Sequence, residues 1–78
     1  MPFIDPWPSD AEILGVLRAR ICHYLIDEIT LDDLVDFIIS HRRDYGPWYP
    51  TREQIHALLQ DTPLTVEERM YITISAEL

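Results

Sequence analysis

The sequence predicts an all-α fold: a compact bundle of four short helices preceded by an extended N-terminal arm. The main observation is a repeated helix-start signal, in which a hydroxyl side chain is followed three residues later by an acidic or amide side chain. Residues 1–8 then form the arm and residues 9–78 a single helical domain, since 78 residues suit one domain. The four signals are Ser9 with Glu12, Thr30 with Asp33, Thr51 with Gln54, and Thr65 with Glu68.

The arm combines helix-breaking and apolar residues. Three prolines within the first eight residues exclude a regular helix. Large apolar side chains so close together favour packing on the domain, although a docking segment for a partner is the alternative. These side chains are Phe3, Ile4 and Trp7.

The first helix is expected over residues 10–28, with a broad apolar arc that suits the central helix of the fold. Gly15 and Ala19 lie one turn apart on its polar side, where another backbone could approach closely or where the strip simply faces water. The arc contains Leu14, Leu17, Ile21, Tyr24 and Leu25, and is widened by Ile13, Val16 and Ile26.

The second and third helices are expected over residues 31–44 and 52–61. Gly46 can end the second helix with a positive φ, and Pro47 prevents its continuation. Apolar residues at helical spacing predict the buried faces. These are Leu31, Leu34, Val35 and Ile38 on the second helix, and Ile55, Leu58 and Leu59 on the third.

The last segment carries two patterns. Thr65 with Glu68 starts a helix, and Val66, Met70 and Ile74 repeat at four-residue spacing. Residues 71–75 are also β-branched and alternating, which suits a strand and makes an α+β fold the alternative. We expect a helix.

The composition restricts the class of partner. Fourteen acidic residues and six arginines, with no lysine, give a formal net charge of -8. Such a charge argues against binding to nucleic acid or to an anionic membrane and is compatible with a basic protein partner, although it also maintains solubility. The single cysteine, Cys22, cannot form an internal disulfide, which favours the reducing cytoplasm.

The densest charge cluster lies at the start of the second helix. Asp32 and Asp36 lie one helical turn apart and repel each other, and Asp33 lies nearby on the outer face, so local stability is not the obvious reason for the cluster. We interpret them, with Phe37 as an apolar anchor, as a surface that meets an arginine- or lysine-rich partner. The alternative is a solvated face that stabilises the helix start.

Trp48 and Tyr49 lie in a loop bracketed by Pro47 and Pro50. Aromatic residues on a stiff loop lose little entropy on binding, so both are candidate partner-binding residues. Aromatic residues also commonly close the open end of a small bundle. Both roles are therefore considered.

No catalytic residue, cofactor site or metal site is predicted. The three histidines and Cys22 show no zinc-ligand spacing, and the acidic segment lacks the glycine that a calcium loop needs. A pair of carboxylates would need a pocket to separate their pKa values, which a bundle of this size seldom has. We therefore do not expect an enzyme.

Residues 49–59 resemble the start of a helix in winged helix-turn-helix regulators, through Pro50, Thr51, Ile55 and Leu59. That resemblance would imply a DNA-reading helix shortly afterwards, with basic or amide groups. The segment that follows places Glu67 and Glu68 there instead.

These observations lead to one principal hypothesis and two alternatives. The principal hypothesis is an acidic inhibitory or regulatory module that docks on a basic surface of a larger protein, similar in size and charge to phage-encoded inhibitors and immunity proteins. A DNA-binding regulator of the helix-turn-helix type is the first alternative. The second is a structural module that forms a homo-oligomer through the arm or the last segment.

Overall fold

The computed structural model describes residues 9–78, and within that range it contains four α-helices and no strand. The predicted all-α bundle is confirmed, and the alternative of a strand at the end of the chain is wrong. The predicted arm, residues 1–8, lies outside the described residues. The helices are α1 (Asp10–Leu25), α2 (Leu31–Tyr45), α3 (Arg52–Gln60) and α4 (Val66–Ser75), with a 3-10 turn over Gly46–Trp48.

The four helices begin at the residues that the start signals predict. Each hydroxyl accepts the backbone N–H of the third helical residue. In α2, α3 and α4 the third residue also accepts the N–H of the cap, at 3.2, 2.8 and 2.9 Å respectively. The bond to Asp33 in α2 is the longest of the three, as expected for its shorter side chain.

One apolar core holds the helices together. α1 packs against α2 and α3, and α2 also packs against α4. The predicted inward faces of α2 and α3 are buried, except that Leu31 is only partly covered. The side chains that are most completely buried are Ile13, Leu17 and Ile21 of α1, Leu34 and Ile38 of α2, Ile55 and Leu59 of α3, and Ile72 of α4.

The prediction that α1 continues to residue 28 is wrong, because α1 ends at Leu25. Asp27 takes a left-handed φ of 63°, and its N–H bonds back to the Tyr24 carbonyl at 3.0 Å. The Glu28 N–H bonds to the His23 carbonyl at 2.9 Å. These two bonds form a Schellman motif, which usually has glycine where this chain has Asp27.

The apolar arc of α1 is narrower than expected. Val16 and Ile26 are exposed, whereas Ile13, Leu17 and Ile21 are buried. α1 packs against α2 and α3, whereas α2 packs against α1 and α4, so the two helices share the central position.

The end of α2 follows its sequence signal. Gly46 has a φ of 55° and a ψ of -125°, a conformation that only glycine adopts readily. Pro47 then lies within the 3-10 turn and the chain reverses towards α3.

Candidate functional site

The three aspartates of the acidic cluster are exposed on the first two turns of α2, but they do different things. Asp33 accepts the Thr30 N–H and therefore belongs to the helix cap. Asp32 accepts a hydrogen bond from the hydroxyl of Tyr71 on α4. This bond raises the pKa of the Tyr71 hydroxyl, and the nearby Asp36 carboxylate acts in the same direction. Asp32 and Asp36 therefore lie beside α4.

Phe37 points away from this pair and is half-buried. The guanidinium carbon of Arg20, on α1, lies 4.7 Å from the centre of its ring. The imidazole of His41 stacks on it with 4.9 Å between ring centres. The predicted apolar anchor is thus engaged within the molecule, on the α1 side of α2.

Tyr49 belongs to the core. Only 8% of its surface is exposed, and its hydroxyl lies 3.1 Å from Nδ1 of His41. Burial raises the pKa of Tyr49 and lowers that of His41. Tyr49 closes the end of the bundle, and its burial leaves little of the ring for a partner to contact.

Trp48 is 56% exposed, but it lies at the other end of α2 from the acidic pair. Gly46 lies fourteen positions after Asp32, which corresponds to about 21 Å along the helix axis. The sequence-predicted site residues are therefore not brought together into one patch.

Exposed apolar side chains on α4 are the feature that sequence reasoning missed. Ile74 is 71% exposed, and Val66 and Met70 are also largely exposed. The sequence signal was their four-residue spacing, which defines a helix face but does not say whether that face points to the core or to solvent. In the structure Ile72 and Ala76 fill the core instead, on the roughly opposite side of α4.

These residues continue into a groove between α3 and α4 with a volume of about 340 Å³. His56 and Leu59 of α3 form one wall, and Val66, Met70 and Ile74 of α4 form the other. We call the exposed residues of α4 together with the acidic pair the α2/α4 surface: Asp32, Asp36, Val66, Met70, Tyr71 and Ile74.

The α2/α4 surface has carboxylates along its edge and little positive charge. Arg69 is next to Met70, but its guanidinium donates to the Leu64 carbonyl at 3.1 Å and is partly buried. Glu68 accepts a hydrogen bond from Tyr24, and the bonds from Thr65 and Tyr24 lower the pKa of Glu68.

Two other kinds of site are absent from the described part of the chain. Residues 9–78 contain no group of three or more histidine, cysteine, aspartate or glutamate side chains placed to hold a metal ion. No helix in the same range is long and apolar enough to cross a membrane.

Comparison of the chain with protein-family models, curated proteins and solved structures finds no match.

Proposed function

We propose that this chain is a non-enzymatic inhibitory or regulatory module of the cytoplasm, which docks through its α2/α4 surface on a basic surface of a larger protein. The observation that carries the proposal is the position of exposed apolar side chains on α4 beside the carboxylates of α2. Neither component alone would distinguish a binding surface from ordinary solvent-exposed surface.

The apolar part supports binding because its members are adjacent. Val66, Met70 and Ile74 lie on successive turns of α4 and continue into the α3/α4 groove. Exposed apolar residues scattered singly are normal, whereas contiguous ones bordered by polar groups are typical of interaction sites. Methionine also adapts its shape to a partner more readily than branched residues do.

The charged part favours a basic partner. The chain carries a net charge of -8. Tyr71 follows Met70 on α4, and the carboxylates of Asp32 and Asp36 lie beside the Tyr71 hydroxyl. Complementary charge steers association and excludes acidic partners, while buried apolar anchors slow dissociation. We therefore infer a partner surface in which lysine or arginine surrounds an apolar centre.

The charge and the chemistry of α4 do not favour DNA binding. A reading helix that follows α3 would present basic or amide groups to DNA, whereas α4 presents Glu67 and apolar side chains.

The same negative charge opposes close pairing of two copies. An exposed free thiol at Cys22 is compatible with the reducing cytoplasm.

The proposal is tested by affinity capture from the native host with matched variants, read out by quantitative mass spectrometry. One bait carries Met70→Ser and Ile74→Ser. The control bait carries Val16→Ser and Ile26→Ser, which remove two exposed apolar side chains from α1. Thermal melts first establish that both baits are folded.

The expected result is a basic protein that is retained by the unaltered chain and the control bait, and lost from the bait altered on α4. Equal capture by all three baits would contradict the proposal. Capture of DNA-associated complexes that is lost after nuclease treatment would support the helix-turn-helix alternative instead. A concentration-dependent dimer in sedimentation equilibrium, abolished by the α4 changes, would support self-association.

A further inference from the structure

The α3/α4 groove runs along α4 for about two helical turns. Its α4 wall consists of Val66, Met70 and Ile74, which follow one another at four-residue spacing. Eight positions separate the first from the last, so the wall extends about 12 Å. The buried Leu59 of α3 lines the groove as well. A bound segment would therefore find apolar contacts at three successive levels, one for each turn of α4.

The two flanks of this wall differ in charge. On the flank towards α2, the neighbouring row of α4 carries Glu67 and Tyr71, which lie one turn apart. The Tyr71 hydroxyl donates to Asp32, and the Asp36 carboxylate lies nearby. On the flank towards α3, the described residues that line the groove include Arg69 and no carboxylate. A bound segment would therefore meet negative charge along one of its long sides and not along the other.

A helix suits this groove better than an extended segment does. An extended segment pairs its backbone N–H and C=O groups with a sheet edge, and residues 9–78 contain no strand. A proline-rich segment avoids that requirement, but it docks between aromatic rings. None of the described residues that line the groove is phenylalanine, tyrosine or tryptophan. A helix satisfies its own backbone and repeats its side chains at the spacing of the α4 wall.

On the basis of the proposed function, we propose that the partner presents an amphipathic α-helix to the α3/α4 groove, with lysine or arginine along the flank that faces α2. Apolar side chains on successive turns of that helix contact Val66, Met70 and Ile74. Its other flank carries amide or small polar groups, because Arg69 would repel a cation there. A second copy of this chain is a poorer occupant, since each copy carries a net charge of -8.

The probes are two phage-displayed peptide libraries of about 14 residues, the length of four helical turns. One library fixes leucines at helical spacing and the other fixes the same number at alternating positions, and all other positions are randomised. Both are selected on the full chain, and clones that also bind the Met70→Ser, Ile74→Ser variant are discarded. We expect clones from the helical library, with lysine and arginine concentrated on one side of the leucine stripe.

Two charge variants of the chain test the flank with a selected peptide. Asp32→Asn with Asp36→Asn removes the carboxylates beside Tyr71, while asparagine still accepts the tyrosine hydrogen bond. The control, Glu12→Gln with Asp44→Asn, has the same net charge and alters exposed carboxylates on α1 and at the far end of α2. Fluorescence anisotropy should give binding about three- to tenfold weaker for the first variant, as expected for two exposed ion pairs, and unchanged for the control.

Clones recovered only from the alternating library would overturn the proposal, as would the failure of both libraries. Equal binding by the two charge variants would overturn the basic flank. A dimer in sedimentation equilibrium that the selected peptides dissociate would assign the groove to a second copy instead. If a basic protein is nevertheless captured from the host in any of these cases, the proposed function stands and the helix is rejected. Helical clones without a captured protein would reject the proposed function, although the groove would still accept a helix.

Discussion

α2 and α4 begin in the same way but divide their apolar residues in opposite ways. Both start at a threonine cap with a complete capping box. α2 buries Leu34, Val35 and Ile38 and exposes its carboxylates. α4 buries a single large side chain, Ile72, and exposes three apolar side chains at four-residue spacing, those of Val66, Met70 and Ile74.

The start of a helix and the side of it that becomes buried are therefore determined by different parts of the sequence. Capping depends on residues three positions apart, so it is local and follows from sequence. Which apolar stripe becomes buried depends on what the other helices cover. On α4 the covered side is set by contact with α2, which leaves Ile74 exposed.

The largest expected effect is a difference in the free energy of unfolding between substitutions on the two sides of α4. Ile72→Ala should lower the free energy of unfolding by about 2–5 kcal/mol, because Ile72 is 0% exposed and its loss leaves a cavity. Ile74→Ala should change it by less than about 0.5 kcal/mol, because most of that side chain is in water. Urea denaturation followed by circular dichroism measures both.

If Ile72→Ala alone leaves too little folded protein, Ile72→Val provides a milder comparison with an expected loss of about 0.5–1.5 kcal/mol. Equal losses for alanine at positions 72 and 74 would mean that α4 does not turn Ile72 to the core and Ile74 to solvent.

The ends of the two helices offer a smaller contrast. α2 ends at Gly46 with a positive φ, whereas α4 is followed by Glu77 with a φ of 55°. Gly46→Ala should lower the free energy of unfolding by about 1–3 kcal/mol, because alanine is strained in that conformation. Glu77→Gly should raise it by about 0.5 kcal/mol, because glycine tolerates a positive φ and because a carboxylate is removed from a helix C-terminus.

Thermal melts of the two variants beside the unaltered chain measure this pair. A stabilising Gly46→Ala would contradict the assigned backbone conformation at the end of α2. A destabilising Glu77→Gly would contradict the strain attributed to the end of α4.

The smallest expected effect is a dependence of the free energy of unfolding on pH. One titrating group on α2 and one on α4 act in different pH ranges. Burial holds the pKa of His41, on α2, below its ordinary value of 6.5, although Asp44 opposes this shift. The unfolded chain then binds a proton more readily than the folded one, so stability falls as pH drops below about 6.5. Glu68, on α4, has a pKa below its ordinary 4.5, so its contribution is lost only in more acidic solution.

Denaturation at pH 7 and pH 5.5 isolates the histidine window. His41→Gln keeps a hydrogen-bonding partner for the Tyr49 hydroxyl and should flatten the fall in stability across that window. An unchanged fall in His41→Gln would assign the pH dependence to other groups.

The sequence was sufficient for the helices but not for the surface. The caps predicted all four helix starts, and Gly46 predicted the end of α2, because these signals are local. The end of α1 was missed since Asp27 occupies the left-handed position where glycine is the usual signal. Tyr49 and Ile74 were hardest to place, because burial of a loop aromatic or a helix stripe depends on contacts distant in sequence.

The affinity of two variants for the captured basic protein decides whether the exposed face of α4 binds a partner. Ile74→Ala and Val16→Ala each truncate an exposed apolar side chain, on α4 and on α1 respectively. We expect a dissociation constant about tenfold higher for Ile74→Ala, which corresponds to about 1.4 kcal/mol, and an unchanged one for Val16→Ala. An unchanged dissociation constant for Ile74→Ala, with the fold intact, would mean that the partner does not bind through this face.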